Sequence, residues 1–206
     1  MAQDFQNLQD LNQIHPKSGL DLSLKRYENE IREQLSTGDL VFFSGKHWLS
    51  NLIRAKSKSG FSHVGMVIKF DEIDRTFLLE SVIGNGVRLI PFSAIFKDYE
   101  GDLKPYNGRA ILAKCDLINP ENEQMLKIKS LEMLTRQYDN REYVRVFWRM
   151  IVGKARIYPD RQFTCSELIF ECYRAIGIKL NYEHGDSISP GVIYRNDSIS
   201  FFSNLI

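Results

Sequence analysis

The stretch FTCSELIF, residues 163–170, sets a cysteine between two hydroxyl residues at the head of an apolar run. Thr164 to Glu167 fit the capping box S/T-x-x-E. In that motif the threonine hydroxyl accepts from the glutamate amide, and the carboxylate accepts in return from the threonine amide. Cys165 then becomes the first residue of a helix, at the positive end of its dipole and among amides with no intrahelical partner. Such a position lowers a thiol pKa from ~8.5 toward a reactive range of roughly 3.5–7.5 once a histidine also stands near. The same residues support a plainer reading. Cys165, Leu168, Ile169, Cys172 and Ile176 share one apolar stripe, and free cysteine is among the most buried residue types. Local sequence leaves nucleophile and core residue both open for Cys165. Cys172 in mid-helix reads as core, and so does Cys115, on the strand side shared with Ile111 and Ala113. Glu167 reads as a cap rather than an acid or base.

A weakly acidic thiol needs a base beside it to act as a nucleophile. The chain has four histidines. His15 lies in a polar N-terminal stretch and His184 in the loop-like NYEHGDS, both read as solvated. His47 opens an amphipathic segment, where it suits a cap or the surface. His63 follows the turn GFS at the mouth of an apolar strand, from which an imidazole can project into a cleft. A structural histidine fits there too.

The elements that must position these groups are legible as patterns. Residues 1–20 form a polar arm, and 21–35 carry apolar residues at helical spacing. Residues 40–43, LVFF, form a strand after the turn Thr37-Gly38-Asp39. Residues 47–57 place Trp48, Leu49, Leu52 and Ile53 on one helical face. HVGMVIKF and TFLLESVI are strands joined by the turn DEIDR; GNG at 84–86 leads into VRLI, and RAILAKCDL is a fourth strand of this group. Asn119 and Pro120 open a helix as cap and first residue, and helical patterns follow over 143–154 and 163–177. Strands grouped between helices make the chain α+β rather than alternating α/β.

Composition excludes several classes. With 206 residues, a net charge of +1 and no long apolar run, nothing points to nucleic acid as a partner or to a membrane span. Three scattered cysteines without CxxC, behind a start lacking an apolar leader, predict reduced thiols and a cytoplasmic location. Cys165, Cys172 and His63 lack the close ligand spacing of structural zinc, so neither metal nor cofactor is expected.

GDLVFFSG (38–45), SHVGMVI (62–68), FLLES (77–81) with GNGVRLIP after it, FTCSELIFECYRAIGI and SISPG (187–191) occur in that order, with RQYDN (136–140) ahead of the cysteine helix. This series resembles the circularly permuted papain-like amidases of the YaeF/YiiX type, a branch of the NlpC-like cysteine peptidases. The resemblance covers about residues 36–200. It implies an N-terminal arm and helix over 1–35 and a hydrolase domain over 36–206. The expected fold is permuted papain-like: an antiparallel sheet with the cysteine-bearing helix packed against it. Permutation puts the catalytic groups in the order histidine, polar residue, cysteine, which implies His63, Glu80 and Cys165. The implied substrate is a small amide or peptide, with cell-wall peptide fragments as one candidate.

Strand geometry offers a separate check on Glu80. If the DEIDR hairpin pairs Phe70 with Arg75, His63 faces Val82 and Glu80 is a diagonal neighbour on the same face. A slip of one residue would send Glu80 to the other face. A glutamate inside an apolar strand needs a polar partner when buried, and His63 would serve. A solvated glutamate on an open sheet face is the alternative. Two further readings of the whole chain stand beside the amidase. Lecithin:retinol-type acyltransferases share the permuted fold and act on lipid esters, but carry asparagine before the cysteine and Glu-His-Phe after it, where this chain has Thr164 and Ser-Glu-Leu. The other is a binding module that kept the fold without the chemistry.

Overall fold

The computed structural model of the chain describes residues 18–45, 60–134, 136, 164–181 and 188–206. Its centre is a six-stranded antiparallel sheet of β1 (Leu40–Gly45), β2 (His63–Phe70), β3 (Arg75–Val82), β4 (Gly86–Pro91), β5 (Gly108–Cys115) and β6 (Ile199–Asn204). The spatial order is β4-β3-β2-β1-β5-β6. Helices α1 (Ser18–Arg26), α2 (Ala94–Lys97), α3 (Pro120–Glu132), α4 (Cys165–Ala175) and α5 (Pro190–Tyr194) complete the described elements.

Both sheet faces are covered, which is why the strands read as nearly unbroken apolar runs. On one face Leu40, Phe42, Val64, Met66, Ile68, Leu79 and Ile111 pack with Leu126 of α3 and Leu168, Ile169, Cys172 and Tyr173 of α4. On the other, Val41, Phe43, Val67, Leu78, Ala110 and Leu112 pack with Tyr27, Ile31 and Leu35 and with Phe92, Ile95, Phe96 and Tyr99. Cys115 and Cys172 are buried in the first of these cores, the former beside Ile111 and Ala113 as its strand parity predicts.

Turn chemistry sets the registers. Asp71–Ile73 form one 3₁₀ turn, and Asp74 closes it in the left-handed region at φ 51°. This hairpin pairs Phe70 with Arg75 and Met66 with Leu79, the register on which a shared face for His63 and Glu80 depends. Beyond Val82, positive φ at Gly84 and Gly86 turns the chain so that Glu80 pairs with Arg88 across β3 and β4. Gly38, at φ 92°, has no room for a side chain: a Cβ would lie 2.7 Å from Ile118. Its carbonyl accepts from the Tyr173 hydroxyl at 2.7 Å, which ties α4 to the start of β1.

Two readings change. The helix predicted over 21–35 is α-helical to Arg26, widens into a π turn over Tyr27–Ile31 and tightens into a 3₁₀ turn over Arg32–Gln34. Apolar residues four apart drift by roughly 40° per step on a helix of 3.6 residues per turn. The wider turn absorbs the drift, and Tyr27, Ile31 and Leu35 all end buried at 5%, 3% and 1% exposure. The elements α2, α5 and β6 were not anticipated; the helices are short, and β6 depends on its ladder to β5. The helical patterns over 47–57 and 143–154 lie outside the described residues.

Candidate active site

Thr164 is the extended cap of α4, with its hydroxyl accepting from Glu167 N and its own amide donating to the Glu167 carboxylate at 2.8 Å. The capping box therefore forms as the sequence predicts, and Glu167 is committed to it. Cys165 opens the helix and is 7% exposed. Its thiol stands against the start of β2, where it meets the His63 ring and the Val64 amide, with Ser166 Oγ 3.9 Å away.

His63 is the first residue of β2, with its side chain 18% exposed. Its Nε2 lies 2.7 Å from Glu80 Oε2, which leaves Nδ1 as the nitrogen for Cys165. The Phe43 ring flanks the imidazole, centroid to centroid at 5.4 Å. Glu80 has no solvent exposure at all. The diagonal placement across β2 and β3 is the one strand parity predicts. The solvated glutamate on an open face is not what the structure holds.

Two groups the sequence reading missed complete the surroundings of Glu80. Arg88 Nε donates to Glu80 Oε1 at 2.9 Å, and the Tyr99 hydroxyl donates to Oε2 at 2.5 Å. Arg88 was within reach of the sequence, because the GNG hairpin places it directly opposite Glu80. Tyr99 sits in the loop after α2, and no local pattern announces it.

The charges follow from this packing. Burial raises the cost of charge on all three groups, yet contact among them outweighs it. Burial pulls the His63 pKa down, but the Cys165 thiolate and then Glu80 push it up to about 10. Burial likewise raises the thiol of Cys165, and the imidazolium beside it, helped by the Val64 amide and Ser166, brings it below its ordinary value. Glu80 is held below the usual carboxylate value against its burial by His63, Arg88 and Tyr99. The arrangement is a thiol and an imidazole in contact, each shifted toward its charged form, and backed by a carboxylate. By contrast, burial pushes the Cys172 thiol up to about 12. His15, His47 and His184 lie outside the described residues, as do Tyr138 and Asp139 of RQYDN. No helix among the described residues is long and apolar enough to cross a membrane.

The chain is similar in structure to the metalloprotein yiiX from Escherichia coli O157:H7, with a TM-score of 0.61 at 17% identity over 82% of this chain and 97% of that one. At that identity the likeness speaks for the fold. No curated protein matches the chain significantly in sequence. Residues 34–197 match the family model described as permuted papain-like amidase enzyme, YaeF/YiiX, C92 family, and a match over that share of the chain makes this protein a member of the permuted papain-like amidases.

Proposed function

We infer that the protein is a cysteine hydrolase that cleaves amide bonds of small peptides or amino-acid conjugates through Cys165, His63 and Glu80. The observation that carries this reading is the Cys165 thiol paired with an imidazole whose far nitrogen is held by a fully buried carboxylate. The Cys165 thiolate attacks the amide carbonyl carbon, and the developing oxyanion is met by the Cys165 amide, which has no intrahelical acceptor. The His63 imidazolium gives its proton to the leaving amine as the carbon–nitrogen bond breaks, leaving a thioester. Water attacks the thioester with neutral His63 as base. The acid departs, and the thiolate and imidazolium are restored. Glu80 keeps the ring in the tautomer and orientation that both proton transfers need. Cell-wall peptide fragments are one substrate class that fits this chemistry. The E. coli protein is described as a metalloprotein; among the described residues here, no group of three or more His, Cys, Asp or Glu is placed to hold a metal ion.

The test is turnover against a panel of amides, short peptides and lipid esters. Cys165→Ala and His63→Ala should each abolish hydrolysis of the amide hits. Glu80→Gln should lower kcat by roughly 10²–10⁴-fold and leave measurable activity, because it keeps an acceptor but loses the charge. Amide turnover that survives Cys165→Ala would end the reading. Turnover confined to lipid esters would move the protein to ester chemistry.

A further inference from the structure

Glu80 receives three donors on its two oxygens: His63 and Tyr99 on Oε2 and Arg88 on Oε1. Arg88 is itself fixed. One terminal nitrogen stands 2.8 Å from Oε1 and donates to the Tyr99 carbonyl at 3.3 Å, while the guanidinium lies 5.2 Å from the Tyr99 ring centroid. Tyr99 is held in turn by the loop after α2, where its amide donates to Lys104 O at 2.9 Å and Leu103 N donates to Asp98 Oδ1 at 2.8 Å. We propose that Arg88 and Tyr99 are positioning residues of the triad: together they fix the plane of the Glu80 carboxylate and keep it ionised, and through it they aim His63 at Cys165. The proposal rests on the hydrolase reading above.

The physical need comes from the strands. Diagonal neighbours on adjacent strands stand roughly 7–8 Å apart, and a glutamate spans that gap only when its chain is extended. Its rotatable bonds allow other orientations unless donors on both oxygens select one. A carboxylate without solvent also has to be neutralised, or it takes up a proton. Arg88 supplies the counter-charge on the side away from the imidazole, so Glu80 can stay an anion without surrendering Oε2. The groups that face this network are His63 from β2, Arg88 from β4, Cys165 and Ser166 from α4, and Tyr99 with Tyr106 from the loop after α2. One cation behind the carboxylate and one imidazolium before it balance Glu80 and the thiolate.

The test needs no substrate. Alkylation of Cys165 by iodoacetamide, mapped by mass spectrometry from about pH 4 to pH 8, reads the acid limb on which the thiolate takes a proton. Arg88→Met should move that limb to higher pH by about one pH unit, because Glu80 then protonates more readily and the imidazolium loses its charged partner. Arg88→Lys keeps the charge and should restore part of the shift. Tyr99→Phe removes one hydroxyl and should give a smaller shift in the same direction. Glu80→Gln combined with Arg88→Met should go no further than Glu80→Gln alone, since Arg88 acts through Glu80. A wild-type limb in folded Arg88→Met overturns the proposal, and so do fully additive shifts in the double variant. If Arg88→Met does not fold, an unmoved limb in Tyr99→Phe overturns it. If wild-type Cys165 reacts no faster than Cys172, the hydrolase reading fails and takes the proposal with it.

Discussion

The His63 imidazole is shifted toward its charged form against its burial, and the cause is the pair of acidic groups that flank it, Cys165 and Glu80. Its folded pKa of about 10 lies above the ordinary 6.5. The imidazolium therefore adds stability that is full below 6.5 and lost as pH rises through about 10. Cys165 has the opposite sign: its pKa falls below 9.0, so its contribution is full above 9.0 and lost as pH drops through the folded value. Between 9.0 and about 10 the unfolded chain has released both protons while the native pair keeps one, so the pair's contribution declines there. Urea unfolding at pH 8, 9 and 10 should show the stability gap between wild type and the double variant Cys165→Ala/His63→Ala, which has neither titrating group, narrowing from 9.0 to about 10. A gap that stays constant would mean that the pair is not an ion pair in the native state.

At the scale of the element, α4 presents Cys165 through its cap. The Thr164 hydroxyl and the Glu167 carboxylate satisfy amides in the first turn, and this reciprocal bond fixes where the helix begins. If the start frays, Cys165 leaves the dipole end of the helix and the Val64 amide together. Thr164→Ala should cost about 1 kcal/mol of stability, the usual size of a lost cap. It should also slow Cys165 alkylation at neutral pH while leaving the Cys172 rate unchanged. Thermal or urea unfolding supplies the first readout and peptide mapping the second. Alkylation as fast as in wild type would show that packing on the sheet, and not the cap, holds the thiol in place.

For the whole molecule, the sheet has two cores, and the buried Glu80 carboxylate belongs with the one that the N-terminal helix helps to cover. Tyr27 stacks on Phe92 and Phe96 with centroids 5.3 and 5.2 Å away, and Ile31 lies in the same cluster as Tyr99. The segment before β1 thus helps to close the side of the sheet from which Tyr99 reaches Glu80. Ile31→Ala should destabilise the protein by ~2–5 kcal/mol, the range for an apolar side chain deleted from a packed core. A loss well under 1 kcal/mol in urea would show that this segment lies on the domain without supporting it.

What the sequence determined by itself is local. A capping box, a hairpin turn and the two-residue period of strands depend on neighbours within a few positions. From these come the start of α4 at Cys165 and, given the pairing of Phe70 with Arg75 that the structure holds, the shared face of His63 and Glu80. The cross-strand pair of Glu80 with Arg88 belongs to the same class, since GNG sets that register, although the sequence reading passed it over. Whether Cys165 was nucleophile or core stayed open, because an apolar stripe with a capped start serves both. That question turns on where α4 lands on the sheet, and its packing against β2 brings together residues about a hundred positions apart. The burial of Glu80 and the arrival of Tyr99 from a loop are likewise products of packing. Desolvation and long-range contact set the charges of the site, and a linear pattern encodes neither.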